Sequence, residues 1–258
     1  MSRGNRSFVS LIVGLLVVGL GIIAYLMSRS SATPSIQTVQ APVAPGAAGA
    51  AGAAANAPAQ PEHVMGSDSA PVELVMFGDF ECPGCGQYFR LTEPDVRTRL
   101  IETGKVRFRF RDWPIPEVHP ATLVAHNAAW CAGAQGKFWP MHDTIFAGQL
   151  EWSQFANGKP MGVDKIMKRY ASKLGLDTKA FDACLDSRIY ESQIRASRND
   201  AQALGVGGTP TFMVGTHMLP TGHASYDEIK ALVDSGIADA KKKAPSSTKA
   251  PRDSAKKQ

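Results

Sequence analysis

Two cysteines separated by two residues, in Phe80-Glu81-Cys82-Pro83-Gly84-Cys85, are the side chains of this sequence best suited to chemistry. They follow an apolar, strand-like run (Val72, Leu74, Val75, Met76, Phe77) and precede a helix-like run with apolar positions at Tyr88, Phe89, Leu91 and Val96. At a strand-to-helix junction the first sulfur sits at the helix N-terminus, where unpaired N–H groups and the helix dipole favour an anion. The thiol pKa falls there, and the thiolate is the nucleophile of disulfide exchange. Cys85, one turn on, can attack a mixed disulfide on Cys82 and release its partner. Spacing and context together favour a dithiol/disulfide catalyst.

Other uses of the pair fit less well. A zinc site needs a second close Cys/His pair, and Cys131 and Cys184 stand alone, so no metal is expected. A c-type haem needs histidine directly after the second cysteine, where this chain has Gly86. A purely structural bridge would close a four-residue loop and remove little chain entropy. The working group is then the cysteine pair itself, with no other cofactor.

The rest of the chain must export and position that pair. Phe8 to Met27 is an uncharged run of 20 residues, enough for a helix to cross a bilayer and long for a signal-peptide core. An uncleaved anchor within residues 1–29 is favoured over a signal cleaved near Ser30-Ser31-Ala32. Arg3 and Arg6 precede the run, so the positive-inside bias leaves the N-terminus cytoplasmic and the remainder on the periplasmic or extracytoplasmic side. Residues 30–61 carry no charge and are dominated by Ala, Gly and Pro, the composition of a flexible linker. As a random coil it would span about 30 Å.

The formal charge of +5 belongs to the ends: residues 1–61 carry +3, the tail 241–258 carries +6, and the middle is −4. Nucleic-acid binding by the folded part therefore has little support. Within that part, 62–240, Lys105 to Arg111 alternates charged and apolar residues, a half-buried strand. Helical patterns follow at 119–135, 138–149, 163–174, 178–185 and 189–204, punctuated by Gly136, Gly158, Pro160, Gly175 and Gly205. Gly207-Gly208-Thr209-Pro210-Thr211 feeds a short strand, and a cis Thr209–Pro210 bond at its start would place a proline that cannot join a ladder. Thr216 to Leu219 can return as a hairpin, and a helix over 225–239 opens on a Ser225/Glu228 capping box. The basic tail 241–258 reads as disordered.

The domain resembles the DsbA-like branch of the thioredoxin superfamily. The matching pieces are Gly66 to Pro71, Asp79-Phe80-Glu81-Cys82-Pro83-Gly84-Cys85, His119-Pro120, Gln135-Gly136-Lys137-Phe138-Trp139 and Gly207-Gly208-Thr209-Pro210-Thr211-Phe212. The resemblance implies an α/β thioredoxin fold with a helical insertion at about 119–204. It also implies that Thr209 and Pro210 face Cys82, that the Thr209 backbone pairs with an extended polypeptide, and that Cys82 is the exposed nucleophile with Cys85 buried behind it. Pro83 and Gly84, between the cysteines, tune the pair. The strongest oxidants of the family resemble Cys-Pro-His-Cys, and Gly84 replaces that histidine with a bare backbone, which points to a weaker oxidant.

What the resemblance implies is a monomeric, membrane-tethered disulfide oxidase acting on secreted polypeptides with cysteines and reoxidised by a quinone-linked membrane partner. A reductase or isomerase kept reduced by a membrane electron donor is the alternative; a non-catalytic module holding unfolded chains or a metal is the alternative of another class. Cys131 and Cys184 are either a structural disulfide stapling the insertion, the favoured reading in an exported protein, or two free buried thiols. Glu81 reads as a solvated charge at the strand end, His119 as a residue opening a helix, and His126 and His142 as packing or surface groups. His217 and His223 flank the final hairpin.

Overall fold

The computed structural model describes residues 21, 22, 25, 36–38, 63–153 and 162–243. The chain divides into two units, Met1–Ser35 and Ile36–Gln258. Gly21, Ile22 and Tyr25 of the first are helical. Most of the expected membrane span, most of the linker, Gly158 and Pro160, and the tail beyond Lys243 lie outside the described residues. Among the described residues no helix is long and apolar enough to cross a membrane.

The second unit is built on a six-stranded sheet. Its strands are β1 (Gln37–Thr38), β2 (Val64–Met65), β3 (Val72–Gly78), β4 (Val106–Asp112), β5 (Thr211–Val214) and β6 (His217–Met218), in spatial order β1-β6-β5-β3-β4-β2. Among the described residues, β3 and β4 are the one neighbouring pair that runs parallel, in register from Val72↔Val106 to Gly78↔Asp112. The antiparallel partner of β3 on its other side is β5, with Phe77 opposite Thr211. This register brings the end of β3, which leads to the cysteines, beside the start of β5, which follows Pro210.

The alternation read in β4 is the observed one: Val106, Phe108 and Phe110 are buried while Arg107, Arg109 and Arg111 are half-buried. Glu73 on β3 accepts from both Arg107 and Arg109, at 2.7 and 2.6 Å. β3 is apolar on both faces: Leu74 and Met76 join the main core, while Val75 and Phe77 pack with Trp113, Val206 and Met213 behind the sheet.

The helices are α1 (Pro83–Leu91), α2 (Glu93–Val96), α3 (Thr122–Gly133), α4 (Phe138–Ala147), α5 (Gln149–Trp152), α6 (Val163–Lys173), α7 (Thr178–Ser187), α8 (Glu191–Ala203) and α9 (Tyr226–Lys243). The run after Cys82, read as one helix, breaks at Thr92 and ends in a π-helical turn, Arg97–Ile101. Pro94 explains the break, because it has no N–H to return to Arg90. α3 to α8 form the insertion, and a Cys131–Cys184 disulfide joins α3 to α7 with Cα atoms 5.9 Å apart.

Two boundaries differ from expectation. Gln37 and Thr38, inside the stretch read as linker, pair with Met218 and His217, beside Ile36 packed on the core. Edge pairing depends on an open neighbouring strand rather than on local composition, and Gln-Thr carries no strand signal of its own. α9 continues to Lys243, into the stretch read as tail; cations near a helix C-terminus are favoured by the dipole. The Ser225/Glu228 capping box is formed, with the Ser225 N–H donating to Glu228 Oε2 at 2.9 Å.

Candidate active site

Cys82 is the N-cap of α1, in extended conformation (φ −64°, ψ 123°), with Pro83 as the first helical residue. Proline suits that position because the first N–H of a helix has no partner to lose. The Cys82 N–H donates to Asp79 O at 3.1 Å, and the Cys82 carbonyl accepts from Gly86 N at 3.1 Å. The loop before Pro210 lies across the pair: the Thr209–Pro210 bond is cis, and the Cys82 thiol meets Thr209 O at 3.6 Å. Pro210 O accepts from Gly222 N at 2.9 Å, which ties this loop to the turn after β6.

Both cysteines are free thiols and both are buried. Cys82 retains 8% of its surface and Cys85 none. The order of exposure is the expected one, but Cys82 is much less open than an exposed nucleophile. The reason is the close approach of the 209–210 loop. A Cβ added at Gly84 would lie 3.2 Å from Pro210 Cδ and 3.7 Å from Cys82 Sγ, so a side chain there would press the loop back by a few tenths of an ångström.

The two thiols are pushed apart in acidity. Hydrogen bonding from the Cys85 side chain lowers the Cys82 pKa to about 6; burial opposes this, Thr209 and the Cys85 backbone N–H assist, and the Asp79 charge opposes. The buried Thr209 hydroxyl has no other partner among the described residues, leaving it available to the thiolate. Burial raises Cys85 well above an ordinary thiol, and sharing a hydrogen bond with Cys82 raises it further. At neutral pH the reduced site therefore holds a Cys82 thiolate beside a Cys85 thiol.

A network of polar side chains that the sequence does not assign to the site holds the loop ahead of Cys82. Asp79 is fully buried; its Oδ1 accepts from the Glu81 N–H at 2.8 Å and from the Thr122 hydroxyl. Its Oδ2 accepts from the Ile115 N–H at 2.8 Å and lies 2.8 Å from His119 Nδ1. Burial raises its pKa, but His119, His126 and Thr122 more than offset this, so Asp79 stays below the usual carboxyl range. Glu81 corrects an expectation. It is buried rather than solvated, and its Oε2 accepts from the Ala121 N–H at 2.7 Å, capping α3. Asp112 accepts from Trp130 Nε1 at 2.8 Å and pairs with His126 Nδ1, leaving His126 Nε2 to accept from the Phe80 N–H at 3.4 Å. Gln149 Nε2 donates to Phe80 O at 2.8 Å and to Cys82 O at 2.9 Å. Asp112 ends an alternating strand on its buried phase, the one hint of it in the sequence; Gln149 left no signal at all.

His119 precedes α3 as expected and is also bound to Asp79, which helps raise its pKa against the lowering effect of burial. His126 and His142 are buried in helices. His217 and His223 pair with Asp239 and Glu228 at 2.8 and 2.7 Å. Among the described residues, Glu93, His142 and Asp143 bring potential metal ligands within 4.8 Å of one another. Arg97 already pairs with Glu93 and Asp143 there, so the resident cation is a guanidinium.

A family model described as thioredoxin matches residues 59–235. The chain belongs to the thioredoxin family. Its fold is that of the family's DsbA-like members: the Wolbachia pipientis alpha-DsbA1 crystal structure superimposes with a TM-score of 0.60 at 18% identity, covering 72% of this chain and 96% of that one. A probable disulfide bond formation protein D of Bacillus anthracis is 27% identical over 170 residues, 66% of this chain and 76% of that protein. A Na(+)/H(+) antiporter NhaA 1 of Salinispora arenicola is 38% identical over 179 residues, 69% of this chain but 25% of that protein. The chain thus spans about a quarter of the length of such antiporter relatives.

Proposed function

We propose that this chain is a protein disulfide oxidoreductase that introduces disulfides into cysteine-containing secreted polypeptides. The observation that carries the reading is the split pair beneath the cis proline: Cys82 lowered to about 6, Cys85 raised, and Thr209 O against the Cys82 sulfur. In the oxidised enzyme a substrate thiolate attacks Cys82 Sγ, the Cys82–Cys85 bond breaks, and Cys85 leaves with the electron pair and takes a proton. A second substrate thiolate then attacks the substrate sulfur of the mixed disulfide. Cys82 departs as a thiolate, and the substrate has lost two electrons to the cysteine pair. Cys82 suits the last step, because a low-pKa thiol leaves faster. With Cys82 engaged in a disulfide, its thiol no longer occupies the Thr209 carbonyl, which then accepts an N–H from an extended substrate strand.

The domain works outside the cytoplasm, tethered by the Phe8–Met27 run. The Cys131–Cys184 bond supports export, since such bonds persist in oxidising compartments. Turnover then needs a membrane partner that accepts two electrons, of the quinone-linked class, and the enzyme acts as a monomer. A reductase or isomerase role is the second reading; it is favoured by the absence of a side chain at Gly84 and by the Asp79 charge that opposes the thiolate. The equilibrium of the pair with glutathione separates them. A potential between about −120 and −180 mV supports the oxidase, and one near about −270 mV supports the reductant.

A further inference from the structure

Gln149 opens the short helix α5, away from the sequence segments that form the cysteine pair, and its side chain is nearly fully buried. Its amide nitrogen spends both protons on the active-site loop, one on Phe80 O at 2.8 Å and one on Cys82 O at 2.9 Å. These carbonyls flank Glu81. The slot that admits the amide exists because residue 86 is glycine: a Cβ there would lie 2.0 Å from Gln149 Oε1 and 2.7 Å from Gln149 Cδ. Helix α1 itself is thus cut away to receive the glutamine.

From this geometry we infer that Gln149 is a positioning residue for disulfide exchange, acting through the Cys82 carbonyl on the Cys82 sulfur. The peptide plane between Cys82 and Pro83 sets how the first amides of α1 face Sγ, among them the Cys85 N–H that bonds it. The Cys82 carbonyl is held from two sides, by Gly86 N at 3.1 Å along the helix and by Gln149 across it. The second donor also draws negative charge away from a carbonyl close to a developing thiolate, so it stabilises the ionised sulfur more than the neutral one. No protein group other than Gln149 bridges the residues before and after Glu81 among the described side-chain hydrogen bonds.

The inference rests on Cys82–Cys85 exchanging disulfides. The test uses the full-length protein, its Gln149→Leu variant and its Gln149→Glu variant. Thiolate absorbance, taken as reduced minus oxidised protein, is followed against pH, and the equilibrium with glutathione is read at pH 7. For Gln149→Leu the Cys82 midpoint rises by about one unit, and the glutathione equilibrium moves about fivefold toward the disulfide at pH 7. Gln149→Glu shows a larger rise above the carboxyl pKa and partial recovery below it, where the protonated acid again donates to one carbonyl. A Gln149→Leu protein that melts earlier while keeping both the wild-type midpoint and the wild-type equilibrium would overturn the inference, because Gln149 would then be structural only. Should neither variant fold, the side-chain amide protons of Gln149 in the wild type carry the test: slow exchange and a shift on reduction support the role, and rapid exchange with solvent refutes it. A wild type that fails to equilibrate with glutathione would instead sink the exchange reading itself.

Discussion

Replacing Gly84 by histidine should make the pair more oxidising. The Cβ of residue 84 would sit 3.7 Å from Cys82 Sγ, so an imidazole grown from it can place an N–H on the sulfur. A hydrogen bond to a charged group contributes about 1.5–3 kcal/mol, which corresponds to about one to two units of thiol pKa. Starting from about 6, the Cys82 midpoint falls to about 4–5. At pH 7 Cys82 is already mostly ionised, so nearly the whole shift stabilises the reduced form. For a two-electron couple this is about 30–60 mV toward oxidising. The cost is steric: the same Cβ lies 3.2 Å from Pro210 Cδ, and the loop must yield by a few tenths of an ångström, at about 1 kcal/mol of stability. Equilibration with glutathione, thiolate titration and thermal melting of Gly84→His and wild type measure all three quantities. An unchanged or lower potential together with an unchanged midpoint would refute the argument that the empty space at Gly84, rather than the rest of the site, limits oxidising power.

Cys82→Ser abolishes exchange, whereas Cys85→Ser lets Cys82 attack and accumulates mixed disulfides visible on non-reducing gels; failure to trap any partner would count against Cys85 as the resolving thiol. The Cys82 pKa is lower in the folded, reduced protein than in the unfolded chain. Its contribution to stability is therefore present in full above the ordinary thiol range and is lost as pH falls toward about 6. The melting temperature of the reduced form should rise relative to the disulfide form between about pH 6 and 8.5, and a flat difference would contradict the depressed pKa. The double change Cys131→Ala/Cys184→Ala opens a 53-residue separation and should cost about 4 kcal/mol in urea unfolding, while leaving the glutathione equilibrium of Cys82–Cys85 in place.

Much of the architecture is legible in short-range pattern. Strand β4 declares itself by alternating Arg with Val and Phe, α9 by its capping box, and the breaks between insertion helices by glycine. The cysteine pair is legible as chemistry, because C-x-x-C at a strand-to-helix junction has few other uses; the proline segment's place beside it is legible only through the family resemblance. What local pattern misreads is Glu81. A charge at a strand end is ordinarily solvated, and only the packing of α3 against the loop turns it into a buried cap on Ala121. Pro94 marks the break at Thr92, but the apolar spacing that continues across it reads as one helix.

The sequence by itself singled out the cysteine pair and, from its place at a helix start, Cys82 as the expected nucleophile; that a proline segment far along the chain faces the pair is what the family resemblance implies. Tertiary structure alone decided how the site is held and how open it is. Asp79, His126 and Gln149 reach the loop from its own backbone, α3 and α5, and Cys82 is nearly covered because Gly84 lets Pro210 approach. The physical reason is range. Helix periodicity and N-terminal electrostatics act over a few residues and are written locally, whereas a buried hydrogen bond forms between groups 67 residues apart, as for Gln149 and Cys82, once the core has brought their helices together.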